Sequence, residues 1–163
     1  SSQIVMAAVD LSTQDVRHKE LNELVLQWTA LLAEAFDCSA HIVYSIPIAQ
    51  PLLEFDIVDK SQYQKRKQPE AEKQLSKLLE HFELGHAHTH IPAGPPEKTI
   101  PHMANELKAD LVIMGCVGRK GLKGFLIGNT AEKVLHHLRT DTLIVETGGL
   151  NTANKPWNHG NED

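Results

Sequence analysis

Leu111-Val112-Ile113-Met114-Gly115-Cys116-Val117-Gly118, followed after nine residues by Gly128-Asn129-Thr130, is the stretch on which the fold turns. The apolar run before Gly115 reads as a buried strand, and Thr130 to Leu138 reads as a helix. A strand that opens into a glycine-rich loop and then a helix suits the holding of a phosphate. Glycines let the backbone approach closely, and a helix N-terminus offers free N–H groups and a positive dipole end. The spacing is neither that of the Walker loop nor that of the GxGxxG dinucleotide fingerprint.

The flanking segments repeat one pattern. Ile4 to Val9 is a short apolar run ending at Asp10, and Leu11-Ser12-Thr13 leads into a helix. That helix carries Leu21, Leu24, Val25, Trp28, Leu31, Leu32 and Ala35 at helical spacing. Cys38-Ser39 breaks it, His41 to Ile46 reads as a second strand, and Pro47 stops the strand. Ala49 to Lys60 reads as an irregular insertion rich in apolar residues. A second helix is expected from about Ser61 to Phe82, with Pro69 predicting a kink or a later start. A third strand is expected from His86 to Ile91, a third helix from Glu97 to Leu107, and a fifth strand from Thr142 to Glu146.

Strands that alternate with helices and stay apolar along their length predict an α/β fold, a parallel sheet with helices on both faces. In such sheets ligands bind beyond the carboxyl ends of the strands, where strand order reverses. The ends at Asp10, at Tyr44 to Ile46 and at Gly115, with the glycine loop, make the expected site.

The 163 residues suit one domain, expected over 1–147, with a loose polar tail over 148–163. Sixteen basic against 21 acidic residues leave a mildly acidic chain without a basic stripe, which excludes general nucleic-acid binding. Lys65-Arg66-Lys67 reads as a solvated helix face. Two cysteines fit reduced thiols better than a disulfide framework. No apolar run approaches the ~20 residues of a membrane span, and no signal-peptide pattern opens the chain. A cytoplasmic protein with no membrane contact is expected. The chain begins without Met and enters a strand almost at once, a start that suits an excised domain or a processed terminus.

On these residues a family resemblance can be stated. From Ile4 to about Glu146 the chain resembles the universal stress protein family. Within it, Leu53-Glu54-Phe55-Asp56, Pro95-Pro96-Glu97-Lys98-Thr99-Ile100-Pro101, Gly115-Cys116-Val117-Gly118-Arg119 and Gly128-Asn129-Thr130-Ala131-Glu132 resemble the second domain of a tandem-domain branch. The family's last loop glycine is followed directly by Ser or Thr. Here Asn129 follows it, and Thr130 comes one place later.

The resemblance implies a five-stranded parallel sheet of the adenine-nucleotide alpha-hydrolase-like kind, with ATP, accompanied by Mg2+, at the strand ends. It implies that Ala8 and Val9 line the adenine, that Asp10 meets the ribose or base, and that Ser45 edges the base. Met114 and Gly115 would contact the sugar and first phosphate. Gly118, Gly128, Asn129 and Thr130 would wrap the phosphates. It further implies pairing with itself or a sister domain through the fifth strand, and a non-enzymatic role. The residues themselves leave alternatives open. Asp10 would equally cap the first helix or turn, and Gly115 and Gly118 would serve as turn residues. Asn129 with the apolar insertion suits a module holding an apolar ligand or a partner instead of a nucleotide.

Three other features bear on function. His86, His88 and His90 alternate, so a strand would put all three on one face. Positions i and i+4 of a strand are ~13 Å apart, too far for one metal ion. A metal held by two of them plus another side chain stays open beside a solvated or partly buried face. Cys116, in the loop near a helix start, reads as a redox-sensitive thiolate or a small space-filling residue. No nucleophile elbow, paired carboxylates or loop lysine of a phosphate-transferring enzyme is present.

Overall fold

The computed structural model describes residues 3–117 and 129–147. Five strands form one sheet: β1 (Ile4–Val9), β2 (Ser39–Tyr44), β3 (His88–His90), β4 (Leu111–Gly115) and β5 (Asp141–Val145). All neighbours are parallel and the order is β3-β2-β1-β4-β5. The chain steps outward from β1 to β3, then returns to the far side of β1 to lay down β4 and β5. Strand order therefore reverses between β1 and β4, and a crevice opens there beyond their carboxyl ends.

Among the described residues five helices connect the strands: α1 (Val16–Ala35), α2 (Gln50–Glu54), α3 (Lys60–Glu80), α4 (Pro96–Leu107) and α5 (Asn129–His137). Alternation along each strand divides the apolar side chains between two faces. Val5, Ala7, Val9, Ile42, Tyr44 and Ile113 share one buried cluster with Val25 and Leu26 of α1 and Ala71, Leu75 and Leu79 of α3. Met6, Val43, Val112 and Met114 share the other with Ile100 and Ala104 of α4 and Ala131 and Val134 of α5. The expected architecture, a parallel sheet with helices on both faces, is the one observed.

Several local expectations need correction. The segment over 49–60 contains the short helix α2, with Pro51 in its first turn, where the missing N–H costs nothing. Leu52 and Leu53 pack against the core, while Phe55 and Ile57 are 74% and 65% exposed. Helix α3 does not start late. Asp59 caps it by accepting from the Gln62 N–H, and the helix runs through the exposed Pro69. The third strand is shorter than expected and begins at His88, so His86 lies in the preceding turn. The polar tail over 148–163 is outside the described residues. No helix among the described residues is long and apolar enough to cross a membrane.

Candidate functional site

At the reversal point the structure encloses a cavity of about 340 Å3. That is within the roughly 300–1,000 Å3 of small-molecule sites. Ala8, Val9, Asp10, Ser45, Met114, Gly115, Asn129 and Thr130 all line it. Those are the eight expected site residues that fall among the described ones. Gly118 and Gly128 lie outside them. None of residues 51–58 lines the cavity, so the apolar insertion is not its wall.

The floor comes from the strand ends. Asp10 leaves β1 and turns at once: its Oδ1 accepts from the Ser12 N–H at 2.9 Å and from the Ser12 hydroxyl at 2.5 Å. This is an Asx turn and not a helix cap. The cap of α1 is Asp15, whose carboxylate accepts from the Arg17 N–H.

The backbone of Asp10 is held from a third direction. Asn22 of α1, nearly buried, accepts from the Asp10 N–H at 3.0 Å and donates from Nδ2 to the Asp10 carbonyl at 2.8 Å. One side-chain amide thus satisfies both main-chain groups of the residue at the end of β1. Sequence reading missed Asn22. A polar residue one place after Leu21 on an apolar helix face was the available signal.

Gly115 ends β4 directly under α1. A Cβ built there would meet Leu21 Cβ and Cδ2 at 3.2 Å each. Its glycine suits a close helix–strand approach, and its φ is not in the positive range that a turn glycine would adopt. Ser45, just past β2, donates its hydroxyl proton to the Gly94 carbonyl at 2.8 Å and accepts from the Thr99 hydroxyl at 2.7 Å. A hydroxyl has one proton and two lone pairs, so one lone pair of Ser45 remains for a donor. Thr99 was not singled out by sequence as a partner of this wall.

Two helix starts border the opening. Pro96 begins α4, and Asn129, Thr130 and Ala131 form the first turn of α5. The α5 start brings a positive dipole end to the opening, which favours an anion. Pro96, Ile100, Met114, Val117 and Val134 add an apolar wall. Cys116 lines the cavity and is buried beside Met114 and Ala131, as expected of a space-filling residue. His18, also unforeseen, lines it 3.7 Å from the Asp15 carboxylate.

Tyr44 lies beneath the site. Burial first, then the Asp10 carboxylate, then Tyr63, push its phenol up to about 12 from the ordinary 10.0. The folded protein therefore holds that proton more tightly than the unfolded chain does. The resulting stability is fully present below pH 10 and is lost as pH rises towards about 12. Tyr44→Phe will remove this alkaline loss. Urea unfolding at several alkaline pH values, with phenolate absorbance as a second readout, checks it. An unchanged slope in the variant would contradict it.

The fold and this crevice define the class of protein. Residues 2–146 match the universal stress protein family, and the chain belongs to it. It is 34% identical over 145 residues to Universal stress protein E of Salmonella typhi, covering 86% of this chain and 46% of that protein. The chain spans about half the length of the curated relatives it matches. Among solved structures, a putative universal stress protein from Pseudomonas aeruginosa UCBPP-PA14 superposes with TM-score 0.64 at 28% identity. That match covers 89% of this chain and 48% of the other. A universal stress protein described in complex with cAMP has the same fold, with TM-score 0.56 at 20% identity, covering 90% and 99%.

Proposed function

We propose that this domain binds an adenine nucleotide, ATP with Mg2+, as a regulatory ligand and does not turn it over. The observation that supports this reading is that eight residues which the family resemblance implies line one cavity of suitable size. The parts fit the group. The α5 start suits phosphates, the apolar wall suits a base, and the Ser45 lone pair suits an amino donor. Asp10 suits a ribose hydroxyl, because a carboxylate accepts only. A structural neighbour is described in complex with cAMP, which supports nucleotide binding as the use of this crevice. Mg2+ would accompany the phosphates as an oxygen-coordinated ion.

The non-catalytic reading rests on the sequence: no phosphate-transfer lysine and no nucleophile motif are present. We further propose that β5, an edge strand with half-buried Leu143 and Ile144, pairs with a second such domain, in the same chain or another. A cytoplasmic setting is the one that two thiols without a disulfide framework favour.

The test is calorimetric titration of nucleotide-stripped protein with ATP and Mg2+. Saturable micromolar binding is expected. The absence of binding would favour a second reading, supported by Asn129 standing where the family carries Ser or Thr. In that reading the cavity takes a ligand without phosphates, and the domain serves as an assembly module.

A further inference from the structure

The alternating histidines do not act as the trio that sequence suggested. His86 is off the strand, and its place is taken by His41 of β2. Parallel register sets His41 beside His88 and Val43 beside His90, so His41, His88 and His90 share one sheet face. His41 Nδ1 lies 2.9 Å from His90 Nε2. Their ring centres are 5.2 Å apart and their planes differ by 11°. Rings stacked at that separation could not bring two nitrogens so close. The rings therefore meet head-on, nearly in one plane, through a straight N–H···N bond. His88 stacks on His41 at 4.5 Å. Opposed lone pairs on one line do not converge on a cation. No group of three or more His, Cys, Asp or Glu among the described residues is placed to hold a metal ion.

A straight bond of this kind needs one ring to donate and the other to accept. It persists while at least one ring is neutral and fails when both carry a proton, since two donors then face each other. The bond ties the sheet's edge strand, three residues long and paired only with β2. We propose that His41 and His90, with His88 stacked on them, form a proton-operated latch that holds β3 at neutral pH and releases it in acid.

What the latch holds is one wall of the cavity. Directly after β3, the Pro92 carbonyl accepts from the Ile46 N–H, and the Gly94 N–H donates to the Ile46 carbonyl, each at 2.8 Å. Gly94 then accepts from Ser45, and Pro96 begins α4. Release of β3 loosens this wall and weakens ligand binding. This second half rests on the reading of the cavity as a nucleotide site, whereas the latch itself does not.

The surroundings set the direction of the effect. Burial, then His88 and His90, hold the His41 imidazole below its ordinary 6.5; burial, then His88, do the same for His90. No carboxylate is among the groups acting on either ring. The Ser39 hydroxyl lies 3.4 Å from His41 Nε2. From β1, the register neighbour of His41 is Met6, which does not titrate. The latched strand thus binds fewer protons than the released one. Release is favoured as pH falls below 6.5, about tenfold per pH unit for each extra proton bound.

The experiment is amide exchange by NMR at Ile46 and Gly94 between about pH 7.5 and about pH 5.0, corrected for intrinsic rates and referenced to Val112 in the central strands. In the wild type, opening at Ile46 and Gly94 should rise about tenfold or more over the unit below pH 6.5 while Val112 stays protected. His90→Gln, which hydrogen-bonds without titrating, should flatten that rise. A pH-independent wild type, or an equal rise in the variant, overturns the latch. Should the variant fail to fold, the wild-type imidazole 15N shifts decide: two doubly protonated rings at neutral pH overturn it. ATP titration across the same window reads the coupling to the cavity. Weakening below pH 6.5 that His90→Gln abolishes supports the coupling, and flat affinity beside an opening latch overturns it alone. No ATP binding at any pH would instead sink the nucleotide reading.

Discussion

Asn22→Leu will unfold at distinctly lower urea than the parent, losing about 2–4 kcal/mol, since two main-chain groups lose their partner at once. Leu keeps the branching and heavy-atom count of Asn but is larger, so at this buried position the loss combines the broken hydrogen bonds with some overpacking. The N–H and carbonyl of Asp10 are bound at 3.0 and 2.8 Å by this one amide. Without it they must find water at a half-covered site or remain unsatisfied. The consequence reaches the cavity. The Asp10 carboxylate is aimed by its backbone, and the Ser12 contacts alone fix only the local turn. ATP affinity should fall at least about tenfold, the scale set by one misplaced charged hydrogen bond. Equilibrium unfolding and calorimetry on the same preparation check both parts. A variant as stable as the parent, with unchanged affinity, would show that the clamp is incidental.

Gly115→Val should abolish saturable ATP binding and cost about 1–3 kcal/mol of stability through overpacking. A lone Cβ at this position already lies 3.2 Å from two atoms of Leu21, and valine adds two methyl groups to a rigid strand end. Leu21 is on the buried face of α1, and the cavity beside it is the space into which it can yield. The displaced side chain enters the cavity that both residues line. A double-mutant cycle with Gly115→Ala and Leu21→Ala tests the cause. Relief of the clash should appear as a coupling of about 0.5–3 kcal/mol. Strict additivity would place the defect elsewhere.

These two residues also mark where sequence reading stops. Gly115 was visible as a glycine at a strand end, and two interpretations, phosphate approach and tight turn, suited it equally. The reason found in the structure is the approach of α1, a contact 94 residues away in sequence that no local pattern encodes. The partner of Asn22 was hidden for the same reason. A polar residue on a helix tells nothing of which strand end it will meet. Asp10 was readable as a cap of the first helix or turn; it closes the turn at Ser12, and Asp15, directly before Val16, caps α1.

The histidines carry the same lesson in another form. A period of two correctly put His88 and His90 on one face, but it could not name the strand beside them. Pairing with β2 supplied His41 and converted a surface feature into a hydrogen-bonded pair.

What the sequence determined by itself was the set of elements and their layering. Apolar strands alternating with amphipathic helices admit one arrangement that buries both sheet faces, and strand-end residues then fall near the reversal of strand order. What only the tertiary structure decided was which long-range partners meet there: Asn22 with Asp10, Leu21 with Gly115, Thr99 and Gly94 with Ser45, and His41 with His90. Periodicity records which face of an element is buried, a local property. Partner choice depends on register and helix placement, which become defined only when all the elements pack together.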